Sequence, residues 1–319
     1  MKNLLFIIPS IPYPIHKDGV SLINYRILYY IPDSFSIDII SFGNDTEDDI
    51  IGFNGIFKNK NIKIVKILKS NSSLFKRFGN LILNTVVKRD VKQIDGVRFD
   101  NYAAVYFNLS PSLFWGVITG TPTFINAIDS LSLYNSRVYD NNHTIKNWLK
   151  LQLYKKAEKN FYSYANIVSF VSEIDKKYVT EVLKLDNAIS IPNGVERSRL
   201  SKSNERERYS IMFAGNYSYN PNVDAVNYII KEIYPNLKKE YSSLKFYIVG
   251  KNADFSYSDS DIIQIGYVED IYSLYSRCSV LVIPLFIGSG MKNKVLEGFA
   301  NRIPIVATSI AVDGMQVES

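Results

Sequence analysis

The chain has 319 residues, 46% hydrophobic and 21% charged, which is an ordinary soluble composition with enough apolar surface for two cores. Its single cysteine, Cys278, excludes an internal disulfide framework and fits a reducing compartment, so the cytoplasm is the expected location. No run approaches the ~18 uninterrupted apolar residues of a membrane span, and the formal charge of +6 is unevenly placed along the sequence.

The first residues, Met-Lys-Asn-Leu-Leu-Phe-Ile-Ile-Pro-Ser, carry a charge and an apolar run as a signal peptide does. The run is too short and lacks a small-residue cleavage site, so it is expected to be the first strand. Strand-like runs then follow at 36–42, 61–68, 103–108, 123–128, 166–171 and 187–191, with helical patterns near 21–31, 74–84, 111–119, 144–163 and 173–183. Alternation of this kind predicts a parallel sheet with helices on both faces. Lysines and arginines crowd the stretch from Lys58 to Arg98, against only Asp90 and Asp95. Within it Leu74, Phe75, Phe78, Leu81, Ile82 and Val86 lie at helical spacing among the cations. Two readings stand: a helix resting on an anionic membrane surface, or a helix packing its apolar face on its own sheet. No nucleic-acid motif accompanies the patch, so nucleic acid is not expected as a partner.

Residues 1–196 form the expected first domain, 197–208 a polar linker and 209–319 a second α/β domain. The second domain predicts strands at 211–214, 244–249, 262–265, 280–284 and 303–307, with helices near 222–240 and 269–277. Between the last two strands Gly288 and Gly290 permit close backbone approach ahead of a helix opening near Met291, an arrangement suited to an anion. Lys292 and Lys294 sit in the first turn, where the helix dipole disfavours cations by roughly 0.3–1 kcal/mol each, a cost that a bound phosphate offsets. On a helical wheel Met291, Val295 and Phe299 form the expected buried stripe, with Lys294 and Glu297 on a polar face. The alternative is a surface helix with a Lys294–Glu297 ion pair. Open α/β sheets bind ligands outside the carboxyl ends of their strands, so the loops after the strands, and a cleft between the domains, are the expected site.

Several motifs in order carry a resemblance: Ile191-Pro-Asn-Gly-Val-Glu196, Phe213-Ala-Gly-Asn-Tyr-Ser-Tyr-Asn-Pro-Asn-Val-Asp-Ala225, Tyr247-Ile-Val-Gly250, Gly266-Tyr-Val-Glu-Asp270 and Gly288-Ser-Gly-Met-Lys-Asn-Lys-Val-Leu-Glu297. With them nearly the whole chain resembles the GT-B glycosyltransferases of the family 4-like group. The resemblance implies two Rossmann-like domains, α/β and doubly wound. It also implies transfer of a sugar from a nucleotide-sugar donor to a glycan or lipid-linked acceptor in envelope or extracellular polysaccharide assembly, with no metal or other cofactor and of retaining type. The donor belongs mostly to the second domain and the acceptor to the first. By position Glu297 matches the glutamate that grips the donor ribose, Val268 the loop at the nucleobase, and Gly288, Ser289 and Gly290 the turn under sugar and phosphates. Gly19 in the first loop and Gly215 after the first second-domain strand complete the donor set.

The departures are specific. Ser289 stands where many members carry a glutamate, and Asn216 and Asn222 stand where many carry an arginine and a lysine that bind diphosphate. Lys292 and Lys294 are the expected replacements. Ile128 stands at the place of a common histidine, followed by Asp129, which is read either as acceptor-orienting base or as the cap of the next turn. His16 lies in the first loop and His143 in a polar run. The triplet Asp259-Ser-Asp261 has the look of a metal site of the other glycosyltransferase fold but lies in a polar loop. The sequence stops at Ser319, where members continue with a further strand and helices, so a truncated second domain of low stability is expected. The alternatives to a transferase are a sugar-nucleotide 2-epimerase and a non-catalytic nucleotide- or partner-binding relative.

Overall fold

The computed structural model describes residues 2–15, 18–68, 74–86, 90–111, 113–114, 116–118, 120–195, 206–255, 257–268 and 270–315. His16, the basic residues Lys69, Lys88 and Arg89, and most of the expected linker lie outside them. The chain divides into two compact units, Met1–Ile191 and Pro192–Ser319. The division falls earlier than the expected 196/197, and the first strand of the second unit begins inside the expected linker, at Glu207.

The first unit contains β1 (Lys2–Ile8), α1 (Gly19–Tyr30), β2 (Phe35–Ser41), α2 (Glu47–Ile56), β3 (Ile62–Ile67), α3 (Leu74–Val86), β4 (Asp90–Val91), β5 (Gln93–Ile94), β6 (Val97–Arg98), β7 (Ala104–Phe107), β8 (Val117–Ile118), β9 (Thr123–Ile128), α4 (Leu131–Asn141), α5 (Ile145–Tyr162), β10 (Ile167–Phe170), α6 (Glu173–Tyr178) and β11 (Ala188–Ser190). Seven of these strands form a parallel sheet in the order β11-β10-β9-β7-β1-β2-β3, with the order reversing between β1 and β7. Successive residues of β1 enter opposite cores: Leu5 and Ile7 face one, Phe6 and Ile8 the other. A strand covered on both faces has no polar side, so its sequence is a continuous apolar run.

Three expectations change here. The 111–119 pattern is not a helix: Leu113 and Phe114 both donate to the Ser110 carbonyl, Gly116 takes φ 129°, and Val117–Ile118 pairs with Asp90–Val91. The helix expected at 144–163 is preceded by a second one, α4, and Thr144 caps α5 by accepting from Asn147 N at 3.1 Å. Residues 47–56 are helical through a capping box between Thr46 and Asp49. α3 is held by α5 and by the segment after β7: Asn160 Nδ2 donates to the carbonyls of Asn84 and Thr85 at 3.1 and 3.4 Å, and Asn84 Nδ2 donates to the carbonyls of Pro111 and Phe114 at 2.6 and 2.9 Å.

The second unit contains β12 (Glu207–Ala214), α7 (Asn220–Tyr228), α8 (Tyr234–Glu240), β13 (Lys245–Val249), β14 (Ile262–Ile265), α9 (Ile271–Arg277), β15 (Cys278–Ile283), α10 (Asn293–Ala300) and β16 (Ile305–Ala307). A π-helical stretch, Ile229–Ile233, joins α7 to α8. The strands are parallel in the order β14-β13-β12-β15-β16, reversing between β12 and β15. The Arg206 guanidinium donates to the carbonyls of Tyr275 and Cys278, both at 2.7 Å, and of Asn301 and Arg302 at 3.1 and 3.0 Å. One cation thus satisfies carbonyls at the C-terminal ends of both α9 and α10, where the helix dipoles are negative. Arg206→Ala leaves those acceptors without their donor, and a loss of about 2–4 kcal/mol in chemical denaturation is expected, with Arg206→Lys intermediate.

In the first unit the fully buried Glu158 carboxylate accepts from the backbone of Leu131 and Ser132 at 2.7 and 3.2 Å and from the Ser130 hydroxyl at 3.0 Å, closing the N-terminus of α4. Burial raises its pKa to about 7 against the opposing pull of these donors. A carboxyl with a raised folded-state pKa binds its proton more tightly folded than unfolded. Its contribution to stability is therefore fully present below the unfolded pKa of ~4.3 and declines as pH rises toward 7. Denaturation curves of Glu158→Gln should lack this component of the pH dependence.

Candidate functional site

In the second unit the loops after β12, β13, β14 and β15 leave the same, carboxyl edge of the sheet. Those after β12 and β15 flank the reversal of strand order, the position where open α/β sheets accept ligands. Gly215 follows β12 and Gly250 follows β13, and the two backbones touch. Gly215 N donates to Val249 O at 3.0 Å, and a Cβ on Gly250 would stand 1.8 Å from Gly215 O. Gly250 also has φ 134°, so no other side chain suits this position.

Across the reversal, Lys294 Nζ donates to Asn222 Oδ1 at 2.8 Å and lies 4.0 Å from the centre of the Phe213 ring. A Cβ on Gly215 would meet Asn222 Nδ2 at 2.8 Å and Lys294 Nζ at 3.2 Å, so glycine leaves the space that the pair occupies. Asn222 is buried and donates in turn to the Asn216 carbonyl at 2.8 Å. Burial lowers the Lys294 pKa to about 7, Lys292 adds repulsion, and Glu297 opposes both. Lys294 forms no ion pair among the described residues. In place of the alternative, a surface ion pair with Glu297, stands a partly buried ammonium held by a neutral amide and an aromatic face.

Lys292 is used differently. It is the N-cap of α10, and its ammonium turns back onto the carbonyls of Ser289 and Gly290. Gly288, Ser289 and Gly290 are buried, and Gly290 has φ 67°. The helix starts at Asn293, later than expected, and its buried residues are Val295 and Gly298, while Phe299 is 45% exposed. Gly298 lies so near β15 and β16 that a Cβ would meet Leu281 Cδ2 and Ile305 Cδ1 at 2.8 Å. Close approach, and not the largest apolar side chain, selects the packed face. Asn293 Oδ1 accepts from Asn193 Nδ2 at 2.9 Å, tying the start of α10 to the Pro192–Gly194 loop.

Glu297 Oε2 accepts from the fully buried Tyr275 hydroxyl at 3.1 Å. Burial and the Glu297 charge push that phenol well above its ordinary pKa, so it stays a donor. Neither Tyr275 nor Phe213 stood out in sequence, because both read as ordinary core aromatics. Asn216 is exposed and accepts from Ser218 N at 3.0 Å and Asn252 Nδ2 at 3.2 Å. Val268, after β14, is partly buried, and next to it the Tyr267 ring lies 4.3 Å from Lys251 Nζ. The acidic triplet is at the opposite end, before β14. Asp259 accepts from the Tyr234 hydroxyl at 2.9 Å and Asp261 pairs with Lys238 at 2.6 Å, so both brace α8 against the sheet. Among the described residues no group of three His, Cys, Asp or Glu side chains is placed to hold a metal.

Gly19 and Asp129 belong to the first unit. Gly19 opens α1 and is exposed, and Asp18 caps the helix by accepting from Ser21 N at 2.8 Å. Asp129 is partly buried and does not cap α4; Ser130 does, accepting from Leu133 N at 3.1 Å. Ile128 before it has φ 67°, a rare conformation for a β-branched residue that costs about 1–3 kcal/mol. It is held there because its N–H donates to Asn126 Oδ1 at 3.3 Å and its carbonyl accepts from Val171 N at 2.8 Å. Asn126 belongs to a buried network with Tyr106, Asn24 and Asn108, all at the carboxyl half of the sheet. His143 stacks obliquely on Tyr139 at 4.9 Å in the α4–α5 turn.

Residues 208–317 match the family model described as glycosyl transferases group 1. No curated protein matches the chain in sequence. In three dimensions it is similar to HepE of Anabaena in complex with UDP and glucose, with TM-score 0.60 and 13% identity, over 100% of this chain and 84% of that one. It is also similar to TarM, with TM-score 0.64 and 12% identity over 100% and 87% of the two chains. A glycosyltransferase from Rickettsia africae gives TM-score 0.55 and 14% identity over 98% and 80%. The fold is therefore that of the GT-B glycosyltransferases, two Rossmann-like α/β units in tandem. The residues that match the group 1 glycosyltransferase model lie in the second unit.

Gly250→Ala tests the geometry of this edge directly. It forces a Cβ onto Gly215 O, and a loss of about 3 kcal/mol or more, or failure to fold, is expected in thermal denaturation of the purified variant.

Proposed function

We propose that the protein transfers a sugar from a nucleoside diphosphate sugar to a hydroxyl of a glycan or lipid-linked acceptor, with the donor diphosphate at the β12/β15 crevice. The observation that carries this reading is Lys294. A partly buried ammonium whose only described polar partner is a neutral amide lacks a counter-charge, and a diphosphate is a ligand that supplies one. The buried Gly288–Gly290 turn leads into the N-terminus of α10, whose dipole favours an anion. Lys292, already turned onto the loop carbonyls, shapes that turn and adds positive potential, so the expectation of two diphosphate lysines becomes one contact and one support.

In the reaction the bond between the anomeric carbon and the β-phosphate oxygen breaks and a bond to the acceptor oxygen forms. The acceptor proton goes to a base, and the nucleoside diphosphate leaves. Lys294 and the α10 N-terminus stabilise the charge that develops on the leaving group, a role a divalent ion fills elsewhere. Glu297, oriented by Tyr275, accepts from ribose hydroxyls. The acceptor is assigned to the first unit, where strained Ile128 presents Asp129 as the base. UDP is the first nucleotide to test because the similar HepE structure contains it. Retention of anomeric configuration and a role in envelope or extracellular polysaccharide assembly follow from the family resemblance. Ser289 in place of a common glutamate, and Asn216 and Asn222 in place of common cations, favour a second reading as a nucleotide-binding relative without turnover.

Calorimetry with a panel of nucleoside diphosphates separates these. Binding of UDP or another diphosphate is expected, weakened about 10–100-fold in Lys294→Ala and in Glu297→Ala, and unaffected by a chelator. The anion raises the Lys294 pKa on binding, so affinity is greatest below pH 7, falls as pH rises above it, and is accompanied by proton uptake. Unchanged affinity in Lys294→Ala overturns the diphosphate assignment. Binding without donor hydrolysis or transfer selects the second reading.

A further inference from the structure

α3 and α5 of the first unit lie side by side and run the same way. Asn160 near the end of α5 donates to Asn84 and Thr85 near the end of α3, and earlier along both helices the Arg77 charge acts on the Tyr154 phenol. Their N-terminal parts therefore lie at one end, with α5 starting about one and a half turns before α3. There large apolar side chains face water: Ile145 is 79% exposed, Leu149 56%, Trp148 46% and Phe78 58%. Ile82, one turn after Phe78 on the same face, is 39% exposed. Lys76, Arg77, Lys146 and Lys150, all exposed, alternate with them. The sequence has no acidic residue from 74 to 86 or from 141 to 157.

From this juxtaposition we propose that the exposed side chains from Lys76 to Ile82 of α3 and from Ile145 to Lys150 of α5 form a docking face for a bilayer containing anionic phospholipid. A protein interface of this kind is depleted of lysine at its apolar centre, whereas here Arg77, Lys146 and Lys150 directly adjoin Phe78, Ile145 and Leu149. Long cationic side chains can bury their stems while their charges reach phosphate headgroups, and an indole suits the boundary between headgroups and acyl chains. Aliphatic Ile145 and Leu149 have nothing to offer a nucleic acid, but a hydrocarbon layer removes them from water. The absence of acids from α3 and from α5 ahead of the buried Glu158 supplies the charge complementarity. The sequence reading reached only the α3 half of this surface; the α5 half, with the tryptophan, comes from the packing.

The proposal stands apart from the diphosphate site, and the test keeps them separate. The full chain is sedimented with vesicles of phosphatidylcholine alone and of phosphatidylcholine mixed with phosphatidylglycerol. Cosedimentation with the mixed vesicles, weakened by salt, is expected. The double variant Trp148→Ala/Leu149→Ala should lower vesicle affinity about tenfold or more, and Lys146→Gln/Lys150→Gln should lower it for the mixed vesicles, with UDP affinity and thermal stability unchanged in both. All four positions are exposed, so the variants are expected to fold. No cosedimentation at low salt, or binding unaffected by both variants, overturns the proposal. So does loss in these variants of binding to single-stranded RNA, or of self-association in size-exclusion chromatography, without an effect on vesicles.

Discussion

The crevice of the second unit is arranged around one partly buried ammonium group. Lys294 reaches from α10 across the reversal of strand order to Asn222 on α7, over the ring of Phe213. Gly215 lacks a side chain where that pair sits, and Gly250 lacks one where Gly215 presents its carbonyl. Arg206 fixes the far ends of α9 and α10, so the start of α10 is positioned from both ends, by the Arg206 clamp and by the Asn193–Asn293 contact. Moving any one of these groups shifts the ammonium, and a charge in a low-dielectric surrounding is sensitive to such shifts.

The first unit meets a similar requirement with neutral groups. Tyr106, Asn24, Asn108 and Asn126 satisfy one another beneath the loops, and Asn126 also holds the N–H of Ile128 in its unusual conformation. Next to it the buried Glu158 closes the start of α4 through backbone and hydroxyl donors. These interactions order the carboxyl end of β9, which carries Asp129. The strain at Ile128 persists because the surrounding hydrogen bonds determine the backbone there.

The parallel strands were legible because they are short, mainly apolar runs, the central ones covered on both faces, and the reversals of strand order put the glycine turns where a ligand belongs. α2 was missed because only Phe53 of its residues is buried and its signal is the Thr46–Asp49 capping box. The 111–119 segment imitates a helix for one turn before Gly116 and the pairing of Val117–Ile118 divert it. In α10 the wheel favoured Phe299, yet the helix packs through Val295 and Gly298, since contact with the sheet rewards the absence of a side chain at Gly298.

By itself the sequence determined the two α/β units, the order of their strands along the chain, and the glycine–lysine turn that precedes α10. Local periodicity and turn chemistry report these directly, since each depends on neighbours within a few residues. The tertiary structure decided which lysine reaches Asn222 and which turns back on its own loop, which carboxylate is oriented by a buried phenol, and which apolar side chains of α3 and α5 are left in water. Those outcomes depend on partners far apart in the chain, such as Lys294 and Asn222 or Glu297 and Tyr275, and no spacing rule within a segment encodes them.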